Sequence, residues 1–294
     1  YLAAQMINQD EIDVLIDVTG LTSINCMPVS SFRPAPVQMH GYGYSITTGA
    51  DYIDYLITDR NYIPEEWEAV GPEKLLYLPN TFMPTKRPEK IGAAVSRADV
   101  DLPEDVIVFC NFNHPCKFEP KIFAAWMEIM KQVPNSVLWF GAWMLDTQTN
   151  LRREAATHGI AGERLIFAEI VEHEDHLARL QLADLALVDA LWVGLPVLSI
   201  LGDKPGARLG ATLSNAAGVP EMVVPDLPSY IERAVALAQA PEQRAALSRR
   251  LIEGRDNQPL FDNERYCRNL DNAIEAAWDN HCAGRSPERI ELGE

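Results

Sequence analysis

The chain has 294 residues, of which 47% are hydrophobic and 23% charged, as in a soluble globular protein. Its net charge of −17 and pI near 4.8 argue against nucleic acid and anionic membranes as partners, because an acidic surface repels both. No apolar run approaches the roughly 20 residues of a membrane span, and five cysteines without paired metal-type spacing favour reduced thiols in a cytoplasmic protein.

The N-terminal part of the chain alternates predicted strands with loops. β-rich runs occupy residues 12–18, 37–39, 52–59 and 75–78, and a loop rich in Gly and Thr occupies 41–49. The stretch 84–101 has few large apolar residues and marks a linker. We therefore expect a first domain, linker included, over residues 1–95.

The second part alternates strand and helix patterns. The predicted strands are 106–110, 136–140, 164–168, 184–187, 197–200 and 222–224, and the predicted helices include 119–132, 148–158 and 172–182. This alternation is typical of a parallel, doubly wound sheet and predicts a second domain over 96–258. A last helix, Asn263 to Trp278, has an apolar stripe within 259–294. The stripe alone is equally compatible with a helix that packs on the first domain and with one that packs on the second.

The most informative unit runs from Val106 to Trp139. A β-branched run stops at polar Asn111, and the short loop that follows ends at Lys117, before a segment with the apolar spacing of one helix face. Lys117 thus falls at the carboxyl end of a strand, where open α/β sheets bind ligands. A lysine beside helix-terminal amides suits a phosphate. A Rossmann-like unit with another ligand would explain the same pattern.

This unit resembles the nucleotide-sugar lobe of the protein O-GlcNAc transferases, the family that includes the plant SPINDLY proteins. The stretches 32–38 (Phe-Arg-Pro-Ala-Pro-Val-Gln) and 165–184 carry the same resemblance, which extends along almost the entire chain. It implies an α/β fold of GT-B type with two Rossmann-like lobes, the N-terminal one incomplete, and a C-terminal helix in 259–294 that packs back toward the N-terminal lobe. It also implies an inverting transferase that moves GlcNAc from UDP-GlcNAc to Ser or Thr hydroxyls of proteins, without a metal or other cofactor.

Two further features of the family are expected outside the chain. Tetratricopeptide repeats often precede this catalytic region, and none is found here. The histidine usually discussed as the catalytic base or sugar contact would lie upstream of Tyr1.

The resemblance also assigns the donor-binding residues. Lys117 matches the catalytic lysine that contacts the diphosphate and stabilises departing UDP, and His114 stands where better-known members carry glutamine. The Val171 backbone would read the base, His176 would stack on it, and His173 replaces a lysine beside it. Two histidines at this spacing could instead belong to a metal pair, although no third ligand is near, or could simply be solvated at an acidic helix N-terminus.

Asp189 matches the family aspartate that hydrogen-bonds the ribose hydroxyls, although a plain helix N-cap would look identical. Just before it, the sequence pattern runs from a strand into a helix at Leu187–Val188 without the usual loop of about 2–6 residues. In the family a loop containing His-Thr-Thr lies here and holds the diphosphate. We expect such a loop to be mobile and left out of the numbering; the alternative is a deletion.

Residues on the acceptor or sugar side come from the resemblance alone. They are Thr22, Tyr42, Gly43 and Trp143, each of which could equally be core or loop. In the loop 41–49, Ser45 and Ile46 replace the family's Pro and Gly, which alters the freedom of the backbone. His40 is a tempting base nearby, but it falls on no catalytic position of the family.

Three alternatives stay open. The same fold serves protein O-fucosylation from GDP-fucose and asparagine glucosylation from UDP-glucose, and His114 and His173 leave room for either. A non-catalytic nucleotide-sugar-binding protein would explain the incomplete first lobe and the missing loop.

Overall fold

The computed structural model describes residues 1–142, 144–186 and 190–293, with only the backbone of residues 68–70. The chain divides into two compact units. The first contains Tyr1–Lys86, Asp203–Ala216 and Gln258–Glu294; the second contains Arg87–Gly202 and Ala217–Asn257. The first change of unit, after Lys86, lies inside the predicted linker.

The strands are β1 Val14–Asp17, β2 Val37–His40, β3 Tyr55–Thr58, β4 Lys74–Tyr77, β5 Ile107–Asn111, β6 Ser136–Gly141, β7 Leu165–Ala168, β8 Leu185–Ala186, β9 Ser199–Ile200, β10 Val223–Val224 and β11 Ile290–Glu291. The helices are α1 Leu2–Gln9, α2 Met27–Ser30, α3 Pro120–Gln132, α4 Leu145–Thr157, α5 His173–Leu180, α6 Leu209–Ala216, α7 Leu227–Gln239, α8 Pro241–Glu253 and α9 Asn263–Cys282. No helix in the described part of the chain is both long and apolar enough to cross a membrane.

The sheet of the first unit has the strand order β1-β2-β3-β4-β11, and all of its neighbours are parallel. The central strands β2 and β3 are buried along their whole length, as expected for parallel strands covered on both faces. Met39, Ile57 and Leu76 are fully buried at its centre. The apolar stripe of α9 packs against this core, with Ala273 and Ala277 buried in it.

Segment 203–216 joins the first unit through a buried carboxylate. Thr212 on α6 donates its hydroxyl to both oxygens of Asp59, at 2.7 and 2.9 Å. Asn215 donates to the side-chain oxygen of Asn61, and Arg208 donates to the Asn61 carbonyl. By sequence alone, this segment falls in the predicted second domain, 96–258. The hydrophobic pattern of a segment reports its local structure and does not identify partners as distant in sequence as Asp59 and Asn61.

The main sheet of the second unit has the order β7-β6-β5-β8, again all parallel. Phe109, Trp139 and Phe140 are almost completely buried in it. On α3, Trp126 donates its indole N–H to the Tyr230 hydroxyl of α7 at 3.2 Å, which satisfies a polar atom within the core. The alternation of strands and helices predicted for this region is confirmed, with boundaries shifted by up to three residues.

Candidate functional site

The loop that follows β5 forms the first side of the candidate donor site. Asn111 ends the strand, and its side-chain oxygen accepts from the Asn113 amide at 2.9 Å. A short 3-10 turn, Pro115–Lys117, follows, in which Nδ1 of His114 accepts from the Cys116 amide at 3.2 Å. Lys117 is exposed, and its backbone amide donates to the His114 carbonyl. The two residues assigned to the diphosphate therefore stand on one tight turn at the carboxyl edge of the sheet.

Helix α3 begins three residues after Lys117. Pro120 occupies the first turn, and the N-cap residue Glu119 makes no side-chain hydrogen bond to the helix amides. The Glu119 carboxylate instead pairs with the ammonium of Lys121 at 2.9 Å. First-turn amides without a side-chain cap can donate to an anion, which is the arrangement that a phosphate needs.

Aromatic contacts bring the loop after β5 beside helix α5. The ring of Phe112 meets His176 edge-on, with centroids 4.8 Å apart, and meets Trp139 at 5.0 Å. His176 follows β7, which is separated from β5 by β6 in the sheet. Phe112 therefore links the phosphate-side turn to the residue assigned to the base.

Arg179 completes this cluster and was missed by the sequence analysis. Its side chain is nearly buried, and its guanidinium lies over the Phe112 ring at 4.9 Å. Its Nε donates to Nδ1 of His176 at 3.0 Å, and a terminal nitrogen donates to the Glu169 carbonyl. The spacing His-x-x-Arg, which places both residues on one helix face, is the signal that could have identified it.

The electrostatics keep His176 neutral. Burial, then the nearby cation of Arg179 and the neighbouring His173, lower the pKa of His176 from its ordinary 6.5 to about 4. Burial also lowers the pKa of Arg179. Because Nδ1 accepts from Arg179, the single proton of the imidazole sits on Nε2. A neutral ring of fixed tautomer is well suited to stack on a nucleobase.

Two other assigned donor residues lie where the chain passes from β7 into α5. Val171 is 40% exposed, and His173 is the exposed first residue of α5. Among the described residues, no group of three His, Cys, Asp or Glu side chains could hold a metal ion. Asp189, and the junction at Leu187–Val188, lie outside the described residues, so these assignments stay predictions.

Three of the residues assigned to the acceptor side lie at the carboxyl edge of the other sheet. Thr22 is in the loop after β1, and Tyr42 and Gly43 are in the loop after the adjacent β2. The Gly43 amide donates to the Val18 carbonyl at 3.2 Å. A Cβ on Gly43 would lie 2.5 Å from that oxygen, so only glycine allows the approach. Trp143 lies outside the described residues.

Tyr42 has a backbone φ of 65°, in the left-handed region that a bulky residue rarely adopts. Such strain persists only when neighbouring contacts impose it, and it is concentrated at functional sites. Burial raises the pKa of the Tyr42 phenol. Farther along the loop, the Ser45 hydroxyl and the Tyr62 hydroxyl lie 2.9 Å apart.

His40 is not an accessible base. Its side chain is completely buried at the end of β2, and its Nε2 lies 3.5 Å from a carboxylate oxygen of Glu73. A side chain closed off in this way cannot receive a proton from a substrate in solution. The tempting role as base is therefore wrong, and the residue belongs to the interior of the first unit.

The chain is similar in sequence to known glycosyltransferases. The sequence profile of glycosyl transferase family 41 matches residues 2–91 and 85–270. The chain is 33% identical, over 99% of its length, to a probable UDP-N-acetylglucosamine–peptide N-acetylglucosaminyltransferase, SEC, of Arabidopsis thaliana. It is 24% identical, over 98% of its length, to the UDP-N-acetylglucosamine–peptide N-acetylglucosaminyltransferase of Caenorhabditis elegans. It covers 32% and 36% of these relatives, about a third of each.

Among solved structures, the chain is similar to the K341M mutant of the Thermobaculum terrenum O-GlcNAc transferase. The TM-score is 0.87 at 24% identity, and the match covers 96% of this chain and 56% of that one. This likeness shows the fold: the GT-B architecture implied by the sequence is confirmed.

Proposed function

Because the chain belongs to glycosyl transferase family 41, we propose that it is the sugar-transferring region of an inverting protein O-GlcNAc transferase. Its donor would be UDP-GlcNAc and its acceptors Ser or Thr hydroxyls of proteins. The single observation that carries the proposal is the contact of Phe112 with His176, which joins the Lys117 turn to helix α5 at one edge of one sheet.

In the proposed donor complex, the uracil stacks on the neutral ring of His176 beside the backbone of Val171. The diphosphate meets Lys117, His114 and the first amides of α3. The distribution of charge supports this arrangement, because the protein as a whole carries −17 and an anionic ligand needs a local source of positive charge. Lys117 and the helix N-terminus supply it.

The reaction would be a single displacement at the anomeric carbon. The acceptor hydroxyl oxygen forms a bond to that carbon on one face while the bond to the diphosphate oxygen breaks on the other, so the configuration inverts. The hydroxyl proton leaves to a base, and negative charge grows on the departing UDP. An ammonium already in place where the charge grows stabilises the transition state more than the ground state. This role requires no metal ion, and we assign it to Lys117.

Two finer points belong to the same proposal. All five cysteines, each within the described residues, are free, which supports a reducing, cytoplasmic location. The acceptor is a protein or peptide, and a tetratricopeptide region preceding this segment in the longer protein would present it.

The test is mass-detected transfer of GlcNAc from UDP-GlcNAc to a panel of Ser- and Thr-containing peptides, with UDP binding measured by calorimetry. We expect transfer together with UDP binding. Binding of UDP without transfer to any peptide would assign the chain to a nucleotide-sugar-binding role. Absence of both would refute the donor site as well as the reaction.

A further inference from the structure

Glu73, which directly precedes β4, anchors the end of the loop 41–49. One of its carboxylate oxygens accepts from the Thr47 hydroxyl at 2.6 Å. The other accepts from both the amide and the hydroxyl of Thr48, at 2.7 and 2.6 Å. Glu73 is only 3% exposed, so these partners replace the water that a carboxylate normally binds.

The register of the sheet explains how Glu73 reaches a loop 25 residues away. His40 at the end of β2 pairs with Leu56 of β3, and Leu56 pairs with Leu75 of β4. Because side chains alternate along a strand, Glu73 points to the same face as Leu75 and therefore as His40. The carboxylate thus comes within 3.5 Å of Nε2 of His40, the last residue of β2 before the loop.

Charge strengthens this anchor. Burial alone would raise the pKa of Glu73, but the nearby imidazole of His40, 3.5 Å away, and the hydrogen bonds from Thr47 and Thr48 outweigh it and lower the pKa to about 2. The group is therefore ionised at neutral pH, and hydrogen bonds to an ionised acceptor are stronger than neutral ones.

The space around the anchor allows little adjustment. A Cβ on Gly71 would lie 2.1 Å from the Thr47 hydroxyl oxygen and 2.4 Å from a Glu73 oxygen. At the other end of the loop, Gly43 is held against the Val18 carbonyl. The strained Tyr42 and its neighbours therefore span a short segment that is fixed at both ends.

We propose that Glu73 is a positioning residue for the acceptor side of the site. Through Thr47 and Thr48 it holds the loop that presents Tyr42 and Gly43 to the acceptor, and it touches no substrate itself. The inference rests on the proposed function and on the acceptor-side assignment of Tyr42 and Gly43 that the family resemblance implies.

The test compares Glu73→Gln, which keeps the size of the side chain and removes its charge, with the exposed Glu66→Gln on the same unit. Glu73→Gln should raise KM for the acceptor peptide by about tenfold, as expected when a substrate-positioning group shifts. Affinity for UDP should stay within about twofold of the wild type, since the donor contacts lie on another sheet. Glu66→Gln should change neither quantity.

A second pair of variants tests the loop side of the same contact and covers the case in which Glu73→Gln does not fold. Thr48→Val removes the hydroxyl and should raise the acceptor KM, whereas Thr48→Ser keeps the hydroxyl and should restore it. Hydrogen exchange of the peptide covering 41–49 should become faster in Thr48→Val and stay slow in Thr48→Ser.

The outcomes separate the two proposals. If the wild type transfers no sugar, the proposed function fails, while exchange in the loop still decides whether Glu73 holds it. If the wild type is active but Glu73→Gln and Thr48→Val leave the acceptor KM unchanged, the positioning role is refuted. A rise in acceptor KM matched by an equal fold loss of UDP affinity would also refute it, because it would indicate a general structural role.

Discussion

Nε of Arg179 donates to Nδ1 of His176 across 3.0 Å, and this bond decides which nitrogen of the imidazole carries the proton. The same cation lies over Phe112, whose ring packs against His176 in a T-shaped arrangement. One buried arginine thus sets the tautomer of His176, while its contact with Phe112 helps to hold the ring in place. The neutral state of His176 at physiological pH is a consequence of its surroundings.

Replacing Arg179 should therefore change the titration of His176. In the wild type we expect His176 to titrate near its lowered pKa of about 4. In Arg179→Met the pKa should rise part of the way toward the ordinary 6.5, because the cation no longer opposes protonation, whereas the burial of the ring, the largest cause of the lowered pKa, remains. The imidazole C–H shifts followed by NMR against pH give both values. Arg153→Met, an exposed arginine on α4, is the control and should leave the titration in place; an unchanged pKa in Arg179→Met would contradict the electrostatic account.

Lys117→Ala should cut turnover by roughly two to three orders of magnitude, the loss seen for single preorganised donors in transition-state stabilisation. UDP affinity should fall much less, because the contacts to the base remain. Steady-state kinetics and calorimetry separate the two effects. Lys131→Ala, at the far end of α3, is the matched control. A Lys117→Ala enzyme that binds and turns over like the wild type would remove Lys117 from the site.

Thermal unfolding should rank the possible donors. A ligand that binds only the folded state stabilises it by mass action, so at equal concentration the tightest donor gives the largest rise in Tm. We expect UDP-GlcNAc to exceed UDP-glucose and GDP-fucose. A larger rise with GDP-fucose would instead favour fucose transfer by the same fold, and His114 and His173 would then be the residues to examine.

Stability should fall in acid partly because of Glu73. Its folded pKa of about 2 lies below its ordinary 4.5. Its contribution is therefore fully present above pH 4.5 and is lost as the pH falls toward 2. At 1.36 kcal/mol per pKa unit, the contribution is about 3 kcal/mol. Denaturant unfolding of wild type and Glu73→Gln should show a stability difference that shrinks over this range. A difference that is constant with pH would contradict the lowered pKa.

Thr212→Val should destabilise the first unit. It removes the hydroxyl that donates to Asp59 and leaves a buried carboxylate with one partner fewer. Hydrogen bonds to charged groups contribute roughly 1.5–3 kcal/mol, so we expect a loss of about 2 kcal/mol in the free energy of unfolding. Thr157→Val, at the exposed end of α4, should cost far less. Equal effects would show that the contact of Thr212 with Asp59 is not the cause.

Local patterns were enough to predict the strands and helices of the second unit. The apolar spacing of α3 is a property of the helix itself, and the position of Lys117 follows from the strand before it. Gly159, a residue type that favours the end of a helix, adopts a φ of 78° just after α4. Each of these features depends on residues close together in the sequence.

Features that depend on distant residues could not be predicted in this way. In the sequence, Glu73 is an ordinary charged residue before a strand. Its role is visible only in the structure, where the register of the sheet places its carboxylate within hydrogen-bond distance of Thr47 and Thr48. The burial of Arg179 on α5 likewise involves Phe112, which lies in the distant loop after β5. Asp189 and Trp143 stay predictions, because they lie outside the described residues.

The sheet of the first unit gains its last strand from the end of the chain. β11 pairs with β4, and Arg60 forms an ion pair with Glu291, 231 residues away in sequence. During synthesis, β1 to β4 leave the ribosome long before the strand that completes their sheet. The backbone N–H and C=O groups on the outer edge of β4 therefore remain unpaired while the whole second unit is synthesised. An exposed strand edge of this kind can pair with other chains. A shortened transcript that omits β11 should yield a protein prone to aggregate, even though every residue named in the two candidate sites would still be present.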